Sequence, residues 1–172
     1  MAKVTSPLFG FDASGALGKA IVYDKRGFVR EYVTPSNPQT DPQANIRTPF
    51  RALAACVKAT GATAKHDISG ISPEGYRWSS HIIGEALGKE LNAWNHSMTA
   101  FDALTSAEQD DWVTQAQNIH INPAPVSYDI NPIDKLPGRA MWAYASALAR
   151  NGLGVGDPDG SNASAWATYI AS

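Results

Sequence analysis

Apolar positions fall into two regimes along the chain. From Leu8 to Val33 they come as short runs broken by glycine, LFGF, ALGKAIVY and FVREYV, with Ala20 to Tyr23 and Phe28 to Val33 rich in β-branched and aromatic residues. Such residues fit a pleated, half-buried surface. Asp24-Lys25-Arg26-Gly27 between the runs is a four-residue turn containing glycine, so the pattern predicts a β-hairpin. Asp12-Ala-Ser-Gly15 reads as an earlier turn, which makes a three-stranded meander the fuller form of the same expectation.

Beyond Val33 the period changes. Thr34-Pro-Ser-Asn-Pro-Gln-Thr-Asp-Pro42 is dense in proline, which lacks a backbone donor and biases its predecessor away from helix, so an extended arm is predicted. Thr40 or Asp41 can then cap a helix with Pro42 at its first position, Ile46, Phe50, Leu53, Ala54 and Val57 on one face, and Gly61 as its stop. Pro49 within that span predicts a kink or a late start near Thr48. From Ser72 to Gln117 the helical period dominates. Ser72-Pro-Glu74 is a start signal, Trp78, Ile82, Ile83 and Leu87 share a face, and Leu91, Trp94, Met98 and Phe101 continue the spacing. Thr105-Ser-Ala-Glu108 is a capping box opening a helix through Trp112, Val113 and Ala116.

Prolines at 123, 125, 132 and 137 predict a second extended stretch from Ile119 to Pro137, followed by a helix using Ala140, Met141, Tyr144 and Leu148 that closes at Asn151-Gly152. The tail GVGDPDGSNASAWATYIAS is a polar linker with a short apolar end, expected to dock on a neighbouring subunit because it has little core of its own. The predicted class is α+β: an N-terminal β-hairpin or three-stranded meander, a Pro-rich arm, then a mainly helical body with extended C-terminal segments. The corresponding divisions are 1–34, 35–118, 119–137 and 138–172.

Composition narrows the function classes. Of the 172 residues 44% are hydrophobic and only 17% charged, against roughly 25% charged in an ordinary soluble domain. A surface poor in charge fits one that partners cover. The net charge is −2 and the Lys and Arg residues are scattered, so no basic patch for nucleic acid is expected. No window approaches a membrane span, and a soluble cytosolic product is expected.

Each motif with chemical potential has a plainer structural account. Gly15-Ala-Leu-Gly18-Lys19-Ala20 is too short for a phosphate loop and ends in alanine where a hydroxyl is needed. Cys56 sits among Ala and Val as a buried thiol. His66, His81, His96 and His120 show no ligand spacing; His81 with Glu85, or His96 with Asp102, are the pairs an acid/base centre would use. Asp157, Asp159 and Asn162 alternate as in a calcium loop but lack the distal glutamate. Glu108, Asp110 and Asp111 suit the positive end of a helix dipole. Trp78, Trp94, Trp112 and Trp142 lie on apolar helical faces, which favours core or subunit contact over a sugar platform, and Trp166 lies in the tail. No catalytic, cofactor-binding or metal-binding residues are assigned.

One stretch carries a resemblance. Ser6-Pro-Leu-Phe-Gly-Phe-Asp-Ala-Ser-Gly15, Leu17-Gly18-Lys19, Tyr23, Val29-Arg30 and Pro35-x-Asn37-Pro38-x-Thr40-x-x-Gln43-x-x-x-Arg47 with Phe50 are similar to a family of small tailed-bacteriophage and prophage proteins. Phe101 to Trp112 and Arg139 to Gly152 resemble its helical follow-on more loosely, and this chain adds an Ala/Gly/Thr-rich stretch from Ala59 to Gly70 and a longer tail. The resemblance implies a virion protein of the head or tail. The expected role is a non-enzymatic accessory or decorating subunit whose partners are major capsid or tail proteins and copies of itself, with no direct nucleic acid, membrane or small-molecule substrate. A receptor- or glycan-binding tail module is the alternative, and a small hydrolase built on the histidine pairs a third reading.

Overall fold

The computed structural model describes residues 2–3, 15–17, 21–24, 28–31, 40–88, 91–123 and 133–172, and the chain divides into two units, Met1–Gln39 and Thr40–Ser172. In the first, the backbone of β1 (Ala2–Lys3), β2 (Gly15–Leu17), β3 (Ile21–Asp24) and β4 (Phe28–Glu31) pairs antiparallel in the order β1-β4-β3-β2, with Asp24 opposite Phe28. The turns expected at 12–14 and 25–27, and the arm at 34–39, lie outside the described residues.

The second unit is built from α1 (Asp41–Ala59), α2 (Ala62–Ile71), α3 (Trp78–Leu87), α4 (Asn92–Asp102), α5 (Ser106–Asn118), α6 (Leu136–Arg150) and α7 (Ala163–Ala171), with a 3₁₀ turn at Ile133–Lys135. This corrects the expected α+β class. No strand occurs among the described residues of Thr40–Ser172, the described core is helix on helix, and the described residues are mainly helical. Segments of two to four residues supply no described core on which an α+β fold could rest.

The sequence of α6 explains its place. Leu136, Ala140, Met141, Ala143, Tyr144, Ala147 and Leu148 are at or near zero exposure and only a narrow stripe of Arg139, Ser146 and Arg150 is polar, so most of the helix belongs inside. α1, α3, α4 and α5 pack on it, while α7 lies against α5, α2 and α1. Small residues set the spacing. A Cβ added at Gly138 would sit 2.9 Å from the Val113 backbone nitrogen, so α5 and α6 approach main chain to main chain. Phe101, Trp142 and Trp112 fill the wider space, with Trp142 edge-on to Phe101 at 5.9 Å and to Trp112 at 4.9 Å between ring centres. Edge-to-face pairs add about 0.5–1.5 kcal/mol beyond the area they bury.

Three local expectations are also corrected. α1 starts at Asp41 with Thr40 at its N-cap position and Pro42 in its first turn, as expected, and continues through Pro49, but the face it buries is Thr48, Pro49, Ala52, Leu53 and Cys56, leaving Ile46, Phe50 and Ala54 exposed. α3 begins at Trp78, because Gly75 at φ +83° and the bond from Tyr76 N to Pro73 O make residues 73–76 a turn. The tail ends in α7 and buries Ala163, Trp166, Ala167 and Ile170 in its own unit, so it needs no neighbouring subunit to be ordered. At Gly61 and Thr63 the backbone N–H groups opening α2 donate to Ile170 O and Ser172 O at 2.7 and 3.0 Å, so each helix end satisfies the other. Of the stretch Ile119 to Pro137, residues 124–132 lie outside the described residues, and Leu136 and Pro137 already belong to α6.

Candidate functional site

Several of the groups with chemical potential are engaged by the fold. Cys56 is fully buried on α1, and desolvation pushes its thiol far above the range of a nucleophile. Its carbonyl accepts the Thr60 hydroxyl at 2.9 Å, and Thr60 Oγ1 lies 3.0 Å from the Tyr144 hydroxyl. With the Thr60 proton spent on Cys56 O, Tyr144 is the donor of the second bond. Burial, chiefly, raises the Tyr144 phenol, so this is a neutral hydrogen-bond chain joining α1 to α6.

Among the described residues no hydrogen bond joins His81 to Glu85 or His96 to Asp102. The Asp102 carboxylate pairs with Arg139 at 2.6 Å, while the Glu85 main-chain carbonyl accepts from Arg150 at 2.7 Å. His66, His96 and His120 are exposed, and His81 Nε2 is buried without a partner. No group of three or more His, Cys, Asp or Glu among the described residues is arranged to hold a metal ion.

The calcium-like residues are tied to one another. Asp159 Oδ1 accepts from Ser161 N at 2.7 Å and Ser161 Oγ at 2.8 Å, Asp159 N donates to Asn162 Oδ1, and Asn162 Nδ2 donates to Asp157 O. The Ser161 backbone and side-chain bonds hold the Asp159 carboxyl below its ordinary range. The loop leading to α7 is thus a self-bonded turn laid over α5. Trp112 Nε1 donates to Asp159 O at 3.0 Å, and a Cβ on Gly160 would overlap the Glu108 carboxylate.

Of the three acids expected at the start of α5, only Glu108 lies in its first turn, while Asp110 and Asp111 lie a turn further on. Glu108 Oε2 accepts from Thr105 N at 2.8 Å and from Thr105 Oγ1 at 2.7 Å, completing the expected capping box. Asp110 pairs with the nearly buried Lys135, and Asp111 accepts from Gln115. Trp94, Trp112, Trp142 and Trp166 are core residues, and Trp78 is half-buried with Lys65 Nζ 6.0 Å from its ring centre. The phosphate-loop candidate includes residues 18–20, outside the described residues.

Two surface features remain after this accounting. The first is a ridge on α1: Ile46, Phe50, Ala54 and Lys58 recur every four residues and all face solvent, Ile46 at 51% and Phe50 at 48% exposure, with Arg51 exposed beside them. The second is a groove of about 660 Å³ where α1, α5 and α7 end, lined by Lys58, Ala59, Asn118, Ile119, His120 and Ala171. The sequence reading pointed to neither. Counting Ile46 and Phe50 as core hid the ridge, and a groove made by three chain segments leaves no local signature. No family model, curated protein or solved structure matches this chain.

Proposed function

We propose that the chain is a structural subunit of a bacteriophage virion, an accessory or decorating protein of capsid or tail that acts by contact with other virion proteins and with copies of itself. The observation that carries this reading is Phe50. It belongs to the stretch resembling tailed-phage proteins, yet it stands half in solvent beside Ile46 on the outward ridge of α1. A large apolar pair kept on a surface with so few charges has the character of a contact face. Among the acid/base candidates, Asp102 is taken by Arg139 and is not bonded to His96, which supports the reading from the other side. A glycan platform would draw on the tryptophans, and four of the five are spent on the core.

The test is incorporation. In particles purified by density gradient from cells producing them, the subunit is expected at a fixed ratio to the major capsid or tail protein by quantitative mass spectrometry. Phe50→Glu is expected to abolish that incorporation while leaving the melting temperature of the isolated protein within about 2 °C, as for an exposed position. A protein absent from particles, or a variant incorporated as well as the parent, would defeat the reading.

A further inference from the structure

α5 and α6 end in the same backbone motif with different residues at its left-handed position. At α6, Leu153 N donates to Leu148 O at 3.0 Å and Gly152 N to Ala149 O at 2.9 Å, with Gly152 at φ +72°. At α5, Ile121 N donates to Ala116 O at 2.9 Å and His120 N to Gln117 O at 2.9 Å, with His120 at φ +63°. Glycine takes this conformation without penalty and a residue with a Cβ does not. The α5 terminus therefore carries an imidazole where the fold by itself favours glycine, and that residue lines the groove.

The lining is asymmetric in charge. Lys58 brings an ammonium, His120 a ring that donates one N–H in either neutral tautomer, and Asn118 an amide, while no carboxylate lines the groove among the described residues. Three helix C-termini point negative dipole ends this way, which opposes an anion. That field is reduced at two of them. The last carbonyls of α5 accept from His120 and Ile121, and those of α7 from Gly61 and Ser172. At the third, Lys58 itself stands in the last turn of α1. Lys58 adds a full positive charge, and His120 and Asn118 add two further donors. Ala59, Ile119 and Ala171 supply apolar wall, and the volume is that of an ordinary small-ligand site.

We propose that this groove binds a carboxylate carried on a short apolar body, held by Lys58 and His120. The inference goes beyond the virion reading and stands independently of it. The carboxylate can belong to a free organic acid or to an acidic side chain of a neighbouring polypeptide, and the experiment separates the two.

The full chain is titrated with hexanoate, with uncharged hexanamide, and with acetyl-Leu-Glu-amide against its Gln counterpart, following backbone amide signals by NMR. Saturable shifts confined to residues 58–59, 118–120 and 171 are expected from hexanoate and the Glu peptide and not from their neutral partners. The tighter of the two identifies the source. His120→Gly is expected to raise the melting temperature by about 4 °C while weakening binding roughly tenfold or more. His120→Asn, which keeps a left-handed residue without the imidazole, and Lys58→Gln are expected to weaken it as well. Equal shifts from hexanamide, no saturable shift, or undiminished binding by His120→Gly would overturn the proposal.

Discussion

At the scale of single residues, the buried chain from Tyr144 through Thr60 to Cys56 O is unequal in its two links. Removing the phenol in Tyr144→Phe leaves Thr60 still donating to Cys56 O, so one ordinary hydrogen bond is lost, at about 1 kcal/mol. Thr60→Val removes the acceptor and strands a hydroxyl on a residue with no exposure, at about 1–3 kcal/mol. Urea denaturation of the two variants is expected to rank Thr60→Val as the more damaging, and the opposite order would mean that Tyr144 finds another partner. Nothing in the sequence revealed this pairing, since 84 residues separate its ends. Cys56 was legible as a buried thiol because small apolar neighbours at helical spacing leave little else. Glycine was legible only as punctuation. Gly61 reads as a helix stop, but its tertiary reason is that a Cβ would lie 2.3 Å from Ala171 O.

Among the elements, those whose ends carry their own chemistry were legible. Thr105 and Glu108 state the start of α5 within four residues, and the structure makes both reciprocal bonds. That box also responds to pH. The Thr105 side chain, then its backbone N–H, hold the Glu108 carboxyl below its ordinary range against the opposing influences of desolvation and then Asp159. A carboxyl depressed in the folded state contributes stability that is fully present above its unfolded value and lost as pH falls through the folded one. Acid titration below the ordinary carboxylate range is therefore expected to weaken the wild type more than Glu108→Gln, whose neutral amide cannot gain a proton. Parallel acid limbs for the two proteins would show that the box does not respond to protonation.

The buried face of α1 was not legible for a different reason. Placing the stripe on the large residues Ile46 and Phe50 brings Leu53, Ala54 and Val57 with it, whereas the buried face is that of Thr48, Ala52, Leu53 and Cys56, packed near the alanines of α6. Small residues allow close helix approach, and hydrophobicity counts give them little weight. The tail held a readable signal in Ala163, Trp166, Ala167 and Ile170, at the three- and four-residue steps of one helical face. Its Gly- and Asp-rich approach masked that signal. Gly154 at φ +86° lets the chain pass close over the Trp166 ring, where a Cβ would come within 2.3 Å.

For the whole molecule, this placement of the tail decides what kind of object Thr40–Ser172 is. An arm docked on a neighbour could be trimmed without cost to the isolated protein, but α7 closes the unit against α5, α2 and α1 and caps α2 through Ile170 O and Ser172 O. Trp166 is wholly buried, and replacing such a side chain by alanine costs about 3–5 kcal/mol, a large share of the roughly 5–15 kcal/mol that holds a domain together. Trp166→Ala is thus expected to lower the unfolding midpoint of the entire helical unit, with amides in α1 and α6 losing hydrogen-exchange protection together with those of α7. Loss confined to α7 would instead mark it as a separately fraying element. If the loss is shared, α7 belongs to the core of the unit, and the α1 ridge and the groove beside His120 stand as surfaces carried by a single folded body.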